Sequence, residues 1–401
     1  MPALGKVGCD VVVIYGISAL EYWLTPSQVK LVEIPGQLAA VRPPQGCGLP
    51  VSLLRQRKDA PEATRCIGGR LLGSLKGLSL PVHVMADDAT GTVSTRLLHK
   101  ARVRKGVKMD HLVSLGGGLF VTSIEQTLLD CACALEPIPF LMRLFEACGT
   151  YDIPPSNPRT RLAVQHLVAT HEITPEYPSG ERARIYEFYD AQGRRVLPFA
   201  EEDEGIPWEL CFSASRRPTW LWRRPPLTSQ ERLLAFLDSK QGARGAKRMR
   251  RLLGNVIDGS ASPIESKALI MLCGSTWIGG EAWRKPWPNR RLEFPSDVQR
   301  LSGQSHAIPD MMWIGSRFII ECQGKAFHAD EQGFEVKTGR RSGLEAMGFE
   351  VREITDAQMR SLESWDVMVS GFAKTFGMPL RKRTQAFLTR REKLHRGLFG
   401  R

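Results

Sequence analysis

The chain has 401 residues, 42% of them hydrophobic, and a net charge of +13 with a sequence pI near 9.5. That length allows two or three domains with sizeable cores, and the positive balance favours polyanionic partners, nucleic acid first, although a merely basic surface would give the same number. No apolar run reaches the roughly 18 residues of a membrane span, and nine cysteines, odd in number and without a Cys-x-x-Cys pair, exclude a disulfide framework or zinc site and fit a cytoplasmic protein.

The N-terminal stretch reads as a strand around Val11-Val12-Val13-Ile14 rather than a signal peptide, because Lys6 is its lone basic residue. A short helix from Ser18 to Leu24 follows, stopped by Pro26. Residues 30–100 alternate short apolar runs with Gly and Pro, a mixed α+β pattern. Its clearest strand includes Val82-His83-Val84-Met85 and starts after Pro81 or lies at an edge. A further strand is expected within Ser94–His99. Gly116-Gly117-Gly118 lacks the Lys-Ser or Lys-Thr of a phosphate loop and reads as a turn before Leu119-Phe120-Val121. Thr122-Ser123-Ile124-Glu125 has capping-box spacing with Thr122 as cap, and a helix over Phe140–Cys148 follows Pro139.

Residues 150–228 are dense in proline and read as a joint. Glu201-Glu202-Asp203-Glu204 lacks metal-loop spacing and reads as a solvated loop. The stretch Arg216–Arg224 interleaves arginine with Trp220 and Trp222. It suits base stacking between phosphates, or a linker strand on a domain surface, which is the preferred reading. After a helix from Thr228 to Asp238, a basic run carries Arg244, Lys247, Arg248, Arg250 and Arg251. It suits phosphate neutralisation or a solvated helix face.

Ser262-Pro263-Ile264-Glu265 opens the next helix, with a serine cap, proline in the first turn and Glu265 at the capping-box position; Gly274 ends it. Residues 276–307 predict one irregular strand and a loop. The most informative stretch follows, Ile308–Gln323. Two β-rich runs flank Gly315-Ser316, a pair suited to a two-residue hairpin turn. Trp313 then faces Phe318, Met312 faces Ile319, Met311 faces Ile320, and Asp310 faces Glu321. Opposed residues share a face about 5 Å apart, so two like charges meet. A divalent cation between them removes the repulsion, and oxygen-only ligation favours magnesium or manganese. Gln323, two residues on, shares the face of Glu321, and Lys325 and His328 follow. The alternative is an open-ended hairpin whose polar end is merely solvated. A helix over Thr338–Met347, a strand over Phe349–Ile354 and a last helix capped at Thr355, with Leu362, Trp365, Val369, Phe372 and Phe376 at helical spacing, complete the segment. The tail from Arg381 is basic, either a helix that touches nucleic acid or a frayed end. From 262 to 376 the order is helix, ill-defined strand, hairpin, helix, strand, helix, which predicts an α/β core with helices on a mixed sheet.

These residues carry a resemblance. Ser262-Pro263-x-Glu265-Ser266, Pro309-Asp310, Glu321-x-Gln323-Gly324 with His328, Arg340-Arg341 ahead of Leu344-x-x-x-Gly348, and Val351-x-x-x-Thr355 resemble the PD-(D/E)XK nuclease superfamily. Within it they are similar to the small endonuclease domain of the very short patch repair kind, over roughly residues 245–375. The resemblance implies a restriction-endonuclease-like core and magnesium held by Glu265, Asp310 and Glu321. It also implies metal-dependent cleavage of DNA, in a defence or toxin–antitoxin setting. Gln323 stands where the family has lysine, and glutamine carries no charge; Lys325 or His328 would then supply the cation, with Arg340, Arg341 and the 244–251 run on the backbone. The departure also leaves open a catalytically decayed, nucleic-acid-binding or antitoxin-like regulator, or a partner protein acting by contact alone. Phe120-Val121-Thr122-Ser123-x-Glu125-x-Thr127-Leu128-Leu129-Asp130 resembles an AbiEi-type antitoxin or regulator domain. The winged-helix segment that usually precedes such a domain is not found in this sequence, so sequence-specific DNA binding is not expected. The expected layout is therefore an AbiEi antitoxin-like α+β domain over 1–150, the joint over 151–228, an endonuclease-like domain over 229–376 and a basic tail over 377–401.

Overall fold

The acidic hairpin predicted near residue 315 forms, with the predicted register. Met311 pairs with Ile320, Met312 with Ile319 and Trp313 with Phe318. The turn differs. Ile314–Ser316 is a single 3-10 turn, and the left-handed residue is Arg317, φ 45°, rather than a glycine at the turn. Arg317 can hold that conformation because its guanidinium bonds Met347 O and its own carbonyl accepts the N–H of Glu350.

The computed structural model describes residues 12–32, 78–86, 93–94, 98–102, 109–116, 119–154, 157–174, 189–196, 199–200, 208–213, 215–323 and 331–400. Among the described residues the fold is mixed α/β, with four separate sheets. Backbone packing divides the chain into one unit of residues 1–134, 153–174 and 239–246, and a second of 135–152, 175–238 and 247–401. Among the described residues no helix is long and apolar enough to cross a membrane.

In the first unit, β1 (Val12–Ile14), β2 (Val82–Ala86), β3 (Val93–Ser94), β4 (Leu98–Arg102), β5 (Leu112–Gly116) and β6 (Leu119–Thr122) form one sheet in the order β3-β4-β2-β1-β6-β5. β2 starts at Val82, as the proline requires, but lies inside the sheet between β4 and β1, which removes the expected edge position. Helices α1 (Gly16–Trp23), α2 (Ser27–Leu31) and α3 (Ile124–Cys131) accompany it, with helix Pro158–Ala169 from the stretch read as a joint. The cap of α3 is displaced by one residue from the expected Thr122. Ser123 accepts the N–H of Gln126, while the Thr122 hydroxyl bonds Thr127.

In the second unit α4 (Pro137–Cys148) starts three residues before the expected Phe140, with proline in its first turn. β7 (Tyr151–Asp152), β8 (Glu209–Phe212) and β9 (Pro218–Arg223) form a three-stranded sheet with β9 central. The Arg/Trp stretch thus forms a strand, as in the preferred reading, with Arg216, Arg217 and Arg223 exposed, but as the centre of a sheet rather than a linker. Trp222 and Arg224 are fully buried, and Arg224 spends its donors on the carbonyls of Glu146, Gly149 and Pro225. After α5 (Gln230–Asp238), α6 (Ala246–Leu253) and α7 (Pro263–Cys273) come β10 (Trp287–Pro288), β11 (Leu292–Glu293), α8 (Ser296–Ser302) and β12 (His306–Ala307). The one irregular strand expected over 276–307 is therefore three short strands and a helix.

The hairpin strands β13 (Met311–Trp313) and β14 (Phe318–Gln323) lie inside the sheet β10-β13-β14-β15, where β15 spans Glu350–Thr355. β14 and β15 are parallel, so a crossover is needed, and α9 (Glu331–Ala346) supplies it. One face of the hairpin presents Met312 and Ile319 to Phe294, Val298, Ala307, Leu344 and Val351. The other stacks Phe318 between Trp313 and Phe376. The expected single last helix is two. Thr355 caps α10 (Asp356–Arg360) through a capping box with Gln358, and Ser361 recaps α11 (Leu362–Phe376).

The basic tail is structural. α12 (Gln385–Phe399) buries Phe387, Arg391, Leu394 and Leu398. Gly279, at φ 102°, permits this docking, since a Cβ there would come within 2.6 Å of the Arg391 nitrogen. Fully buried Glu281 takes Arg391 Nη1 at 2.8 Å and Arg383 Nη1 at 2.7 Å, and Arg391 Nε bonds Asp366 at 2.6 Å. Removing one member of such a buried pair leaves an uncompensated charge. Arg391→Ala is therefore expected to lower unfolding stability by about 3–5 kcal/mol, read by urea unfolding of the full chain, and Arg391→Met combined with Glu281→Leu is expected to recover much of the loss. A single-variant cost below about 1 kcal/mol, the surface-pair scale, contradicts this.

Candidate metal and phosphate site

The face that carries Met312 and Ile319 ends in charge. Asp310 precedes β13 and Glu321 lies on β14, two residues past Ile319, so both emerge on the side covered by α9. Asp310 Oδ2 accepts the Cys322 N–H at 2.6 Å, which ties it across the hairpin to the Glu321 strand. Glu265 arrives from the first turn of α7. Its helix-cap role is real: Ser262 Oγ accepts the Glu265 N–H, while its carboxylate accepts from Ser262 Oγ at 2.7 Å and Ala261 N at 2.8 Å. A third donor, Asn289 Nδ2, reaches Glu265 Oε2 at 2.8 Å, and the Asn289 N–H bonds Asp310 O at 3.3 Å. Asn289 is left-handed, φ 48°, a conformation that asparagine tolerates better than most residues. One strained residue therefore links the helix acid to the hairpin acid.

The three carboxyls feel one another. Burial raises the pKa of Asp310 well above the ordinary range, and the charges of Glu321 and Glu265 raise it further. Burial likewise lifts Glu265 against the hydrogen bonds that favour its ionised form. Glu321, 5% exposed, is pushed up to about 7, first by burial and then by Glu265 and Glu353, against the opposing pull of Arg340 and Lys337. Arg340 Nη2 stands 3.4 Å from Glu321 Oε2, a loose pair, and desolvation outweighs it. Glu321 Oε1 is buried with no hydrogen-bond partner, a costly state for a carboxylate oxygen unless something positive meets it.

Among the described residues no three His, Cys, Asp or Glu side chains are spaced to cage a metal ion. The oxygens of Glu265 are taken by donors, which leaves Asp310 and Glu321 as the available pair. Two carboxylates suit magnesium, which keeps several of its waters and is held by one or two acids. The donor set therefore fits that ion through two residues rather than three.

Of the other sequence-derived residues, Gln323 ends β14, half-buried and in register with Thr355. Lys325 and His328 lie outside the described residues. Arg341 is drawn to Glu345 at 2.8 Å. Within the basic run, Arg248 donates to Leu135 O, Arg250 pairs with Asp238 at 2.6 Å, and Arg251 covers the Trp277 ring at 4.0 Å. Arg244 and Lys247 are exposed. The run is thus largely committed to its own chain.

Four residues near the acids escaped the sequence reading. Glu353 is directly in register with Glu321, and Lys337 Nζ, on α9, pairs with it at 2.9 Å. The alternation of Phe349–Ile354 gave Glu353 a face, but its partner follows only from the parallel register. Asn289 lies in an irregular stretch without signal. Arg195, from the turn after Tyr189, lies close enough to Glu265 to favour its ionised form and bonds Thr150 Oγ1 at 3.0 Å. Comparison with protein-family models, with curated proteins and with solved structures finds no match to this chain.

These carboxyls hold protons in the folded state that the unfolded chain has released. Their contribution to stability is therefore present below the unfolded value of 4.5 and is lost as pH rises through about 7 for Glu321. Asp310→Asn keeps an acceptor for Cys322 and removes one like charge. In chelator it is expected to raise the melting temperature at pH 8 and to change it little at pH 5; equal or lower melting temperatures at both pH values would sink the repulsion argument.

Proposed function

We propose that the second unit is a metal-dependent DNA endonuclease domain with a restriction-endonuclease-like core, hydrolysing phosphodiester bonds at the Asp310–Glu321 face. The observation that carries the proposal is the set of three desolvated, mutually repelling acids with an orphaned buried oxygen on Glu321. A protein gains nothing in stability from such a cluster, and perturbed acids of this kind concentrate at functional sites. The order helix, hairpin, crossover helix, parallel strand agrees with the resemblance drawn from the motifs.

Asp310 and Glu321 would hold magnesium or manganese, with Glu265 and Asn289 fixing the position of Asp310. When bound, the ion supplies Lewis-acid polarisation of a phosphate oxygen and an acidified water. The remaining work falls to the chain. Arg340, held only loosely by Glu321 at 3.4 Å, can turn its planar fork to a phosphate. Lys337, held against Glu353, is placed to protonate a leaving oxygen, the task that neutral Gln323 cannot perform. Gln323 can still orient a water through its amide. Arg195 adds fixed positive charge on the Glu265 side.

Gln323 and the saturated Glu265 also favour a second reading, a nucleic-acid-binding regulator on the same core. Nicking of supercoiled plasmid separates the two. The wild-type chain is expected to nick with magnesium or manganese and not in chelator. Asp310→Asn and Glu321→Gln are each expected to reduce the rate at least about 100-fold, the scale of losing an electrostatic group acting in the transition state. Calorimetry is expected to show divalent-metal binding that Asp310→Asn abolishes. A wild-type protein that binds DNA, takes up neither metal and cleaves neither single- nor double-stranded DNA belongs to the regulator reading.

A further inference from the structure

We infer that the second unit carries a separate phosphate-binding subsite, formed by Lys267, Arg360, His395 and Arg396 over an apolar floor of Leu362 and Phe399. An open cavity of about 380 Å³ is lined by Arg360, Leu362, Glu392, His395, Arg396 and Phe399. Lys267, on α7, adjoins the cavity through Phe399, with its Nζ 4.6 Å from the centre of that ring.

The charges there are incompletely answered. Arg360 Nε bonds Asp356 at 2.6 Å, and His395 Nε2 donates to Met359 O at 2.9 Å. Among the described residues, Lys267 and Arg396 have no carboxylate partner. Half-buried Lys267 thus holds its ammonium over an aromatic face, with Arg360 and, more weakly, the Asp356 carboxylate acting on it. Burial first, and then Arg360, lower its pKa against a smaller opposing pull from Asp356. Glu392 is the one acid of the lining, against Arg360, Arg396 and His395. A compact, polydentate anion over an apolar floor describes a phosphate ester, with the sugar or base of a nucleotide against Phe399 and Leu362.

The position suggests which ester. Lys267 lies two residues beyond Glu265 on α7, and Arg360 closes α10, which begins straight after Thr355, the register partner of Gln323. α7, which delivers Glu265, therefore also delivers Lys267, and Arg360 follows the strand that pairs with β14, while His395 and Arg396 come from α12. A strand whose scissile phosphate meets Asp310 and Glu321 would bring a flanking phosphate to Lys267, so the backbone of a nucleic acid is the ligand. That identity rests on the nuclease reading, whereas the phosphate chemistry does not.

The test is fluorescence anisotropy of a labelled oligonucleotide with the full chain, in chelator, across a salt series. Lys267→Gln and Arg396→Gln are each expected to weaken binding several-fold and to reduce the salt slope by about one, the signature of one lost phosphate contact. Arg396 is exposed, so its variant is expected to keep the wild-type circular dichroism and melting temperature. Unchanged affinity and slope in both folded variants overturns the subsite. If inorganic phosphate or a mononucleotide stabilises the wild type, and Lys267→Gln loses that effect while DNA binding is untouched, the backbone source is overturned. No metal is present, so absence of nicking counts against the hydrolysis proposal alone, and unchanged binding against this one alone.

Discussion

Three desolvated carboxyls, Asp310, Glu321 and Glu265, whose charges disfavour one another, define the second unit. Asp310 and Glu321 occupy neighbouring positions on one face of a hairpin whose apolar residues fix the register. A slip by one residue would turn Met312 and Ile319 out of the core. Hydrophobic packing therefore enforces a contact that electrostatics opposes. The resulting destabilisation is tolerated because the hairpin is anchored elsewhere, by the β14–β15 ladder and, on its opposite face, by aromatic stacking of Phe318 with Trp313 and Phe376. A site that needs to collect cations gains from being held in this state, since any positive group entering it relieves repulsion as well as forming bonds.

The same unit handles its other buried charges in the opposite way. Glu281 is surrounded by Arg391, Arg383 and the Arg381 backbone and side chain, and Arg224 is satisfied by three carbonyls. Those networks set arginines against several acceptors each, although Arg224 Nε keeps no hydrogen bond, and they join the C-terminal helix and the central strand β9 to the rest. Among the described residues the acidic face meets the loose Arg340 contact, the Lys337–Glu353 pair and the charge of Arg195 near Glu265. Glu281 meets two arginines at hydrogen-bond distance, whereas Glu321 has one loose contact at 3.4 Å.

Much of this was legible in the sequence where local chemistry decides. Ser262, Pro263 and Glu265 announced the start of α7, and its Gly274 stop is observed. The hairpin register, whose pairs Met311–Ile320, Met312–Ile319 and Trp313–Phe318 are observed, followed from centring the two apolar runs on Gly315-Ser316. The turn did not, because Arg317 takes the left-handed position through tertiary bonds to Met347 and Glu350. The Thr122 cap and the single last helix failed for a related reason: adjacent serines at 123 and 361 offered better-placed oxygens. The largest misreadings were of charge. Arg216–Arg224 and the tail looked like surface, yet Arg224 and Arg391 are fully buried, since composition does not reveal whether an arginine meets solvent or a distant glutamate. Asn289, Arg195 and Glu353 reach the acids through long-range geometry that no spacing rule encodes.

Gln323 brings these threads together. A lysine at that strand position would place a charge between Glu321 and Thr355, beside acids that already attract Arg340 and Lys337. In this chain the strand position is neutral, and positive charge comes instead from α9, one turn apart at residues 337 and 340. Charge on a helix face is longer-reaching and less fixed than charge on a central strand, because the side chains extend across to the sheet instead of standing on it. Such cations can exchange a carboxylate for a phosphate without moving the backbone. The neutral residue at position 323 thus relocates the positive charge while leaving the acids' demand for it intact, and that demand follows directly from the hairpin register.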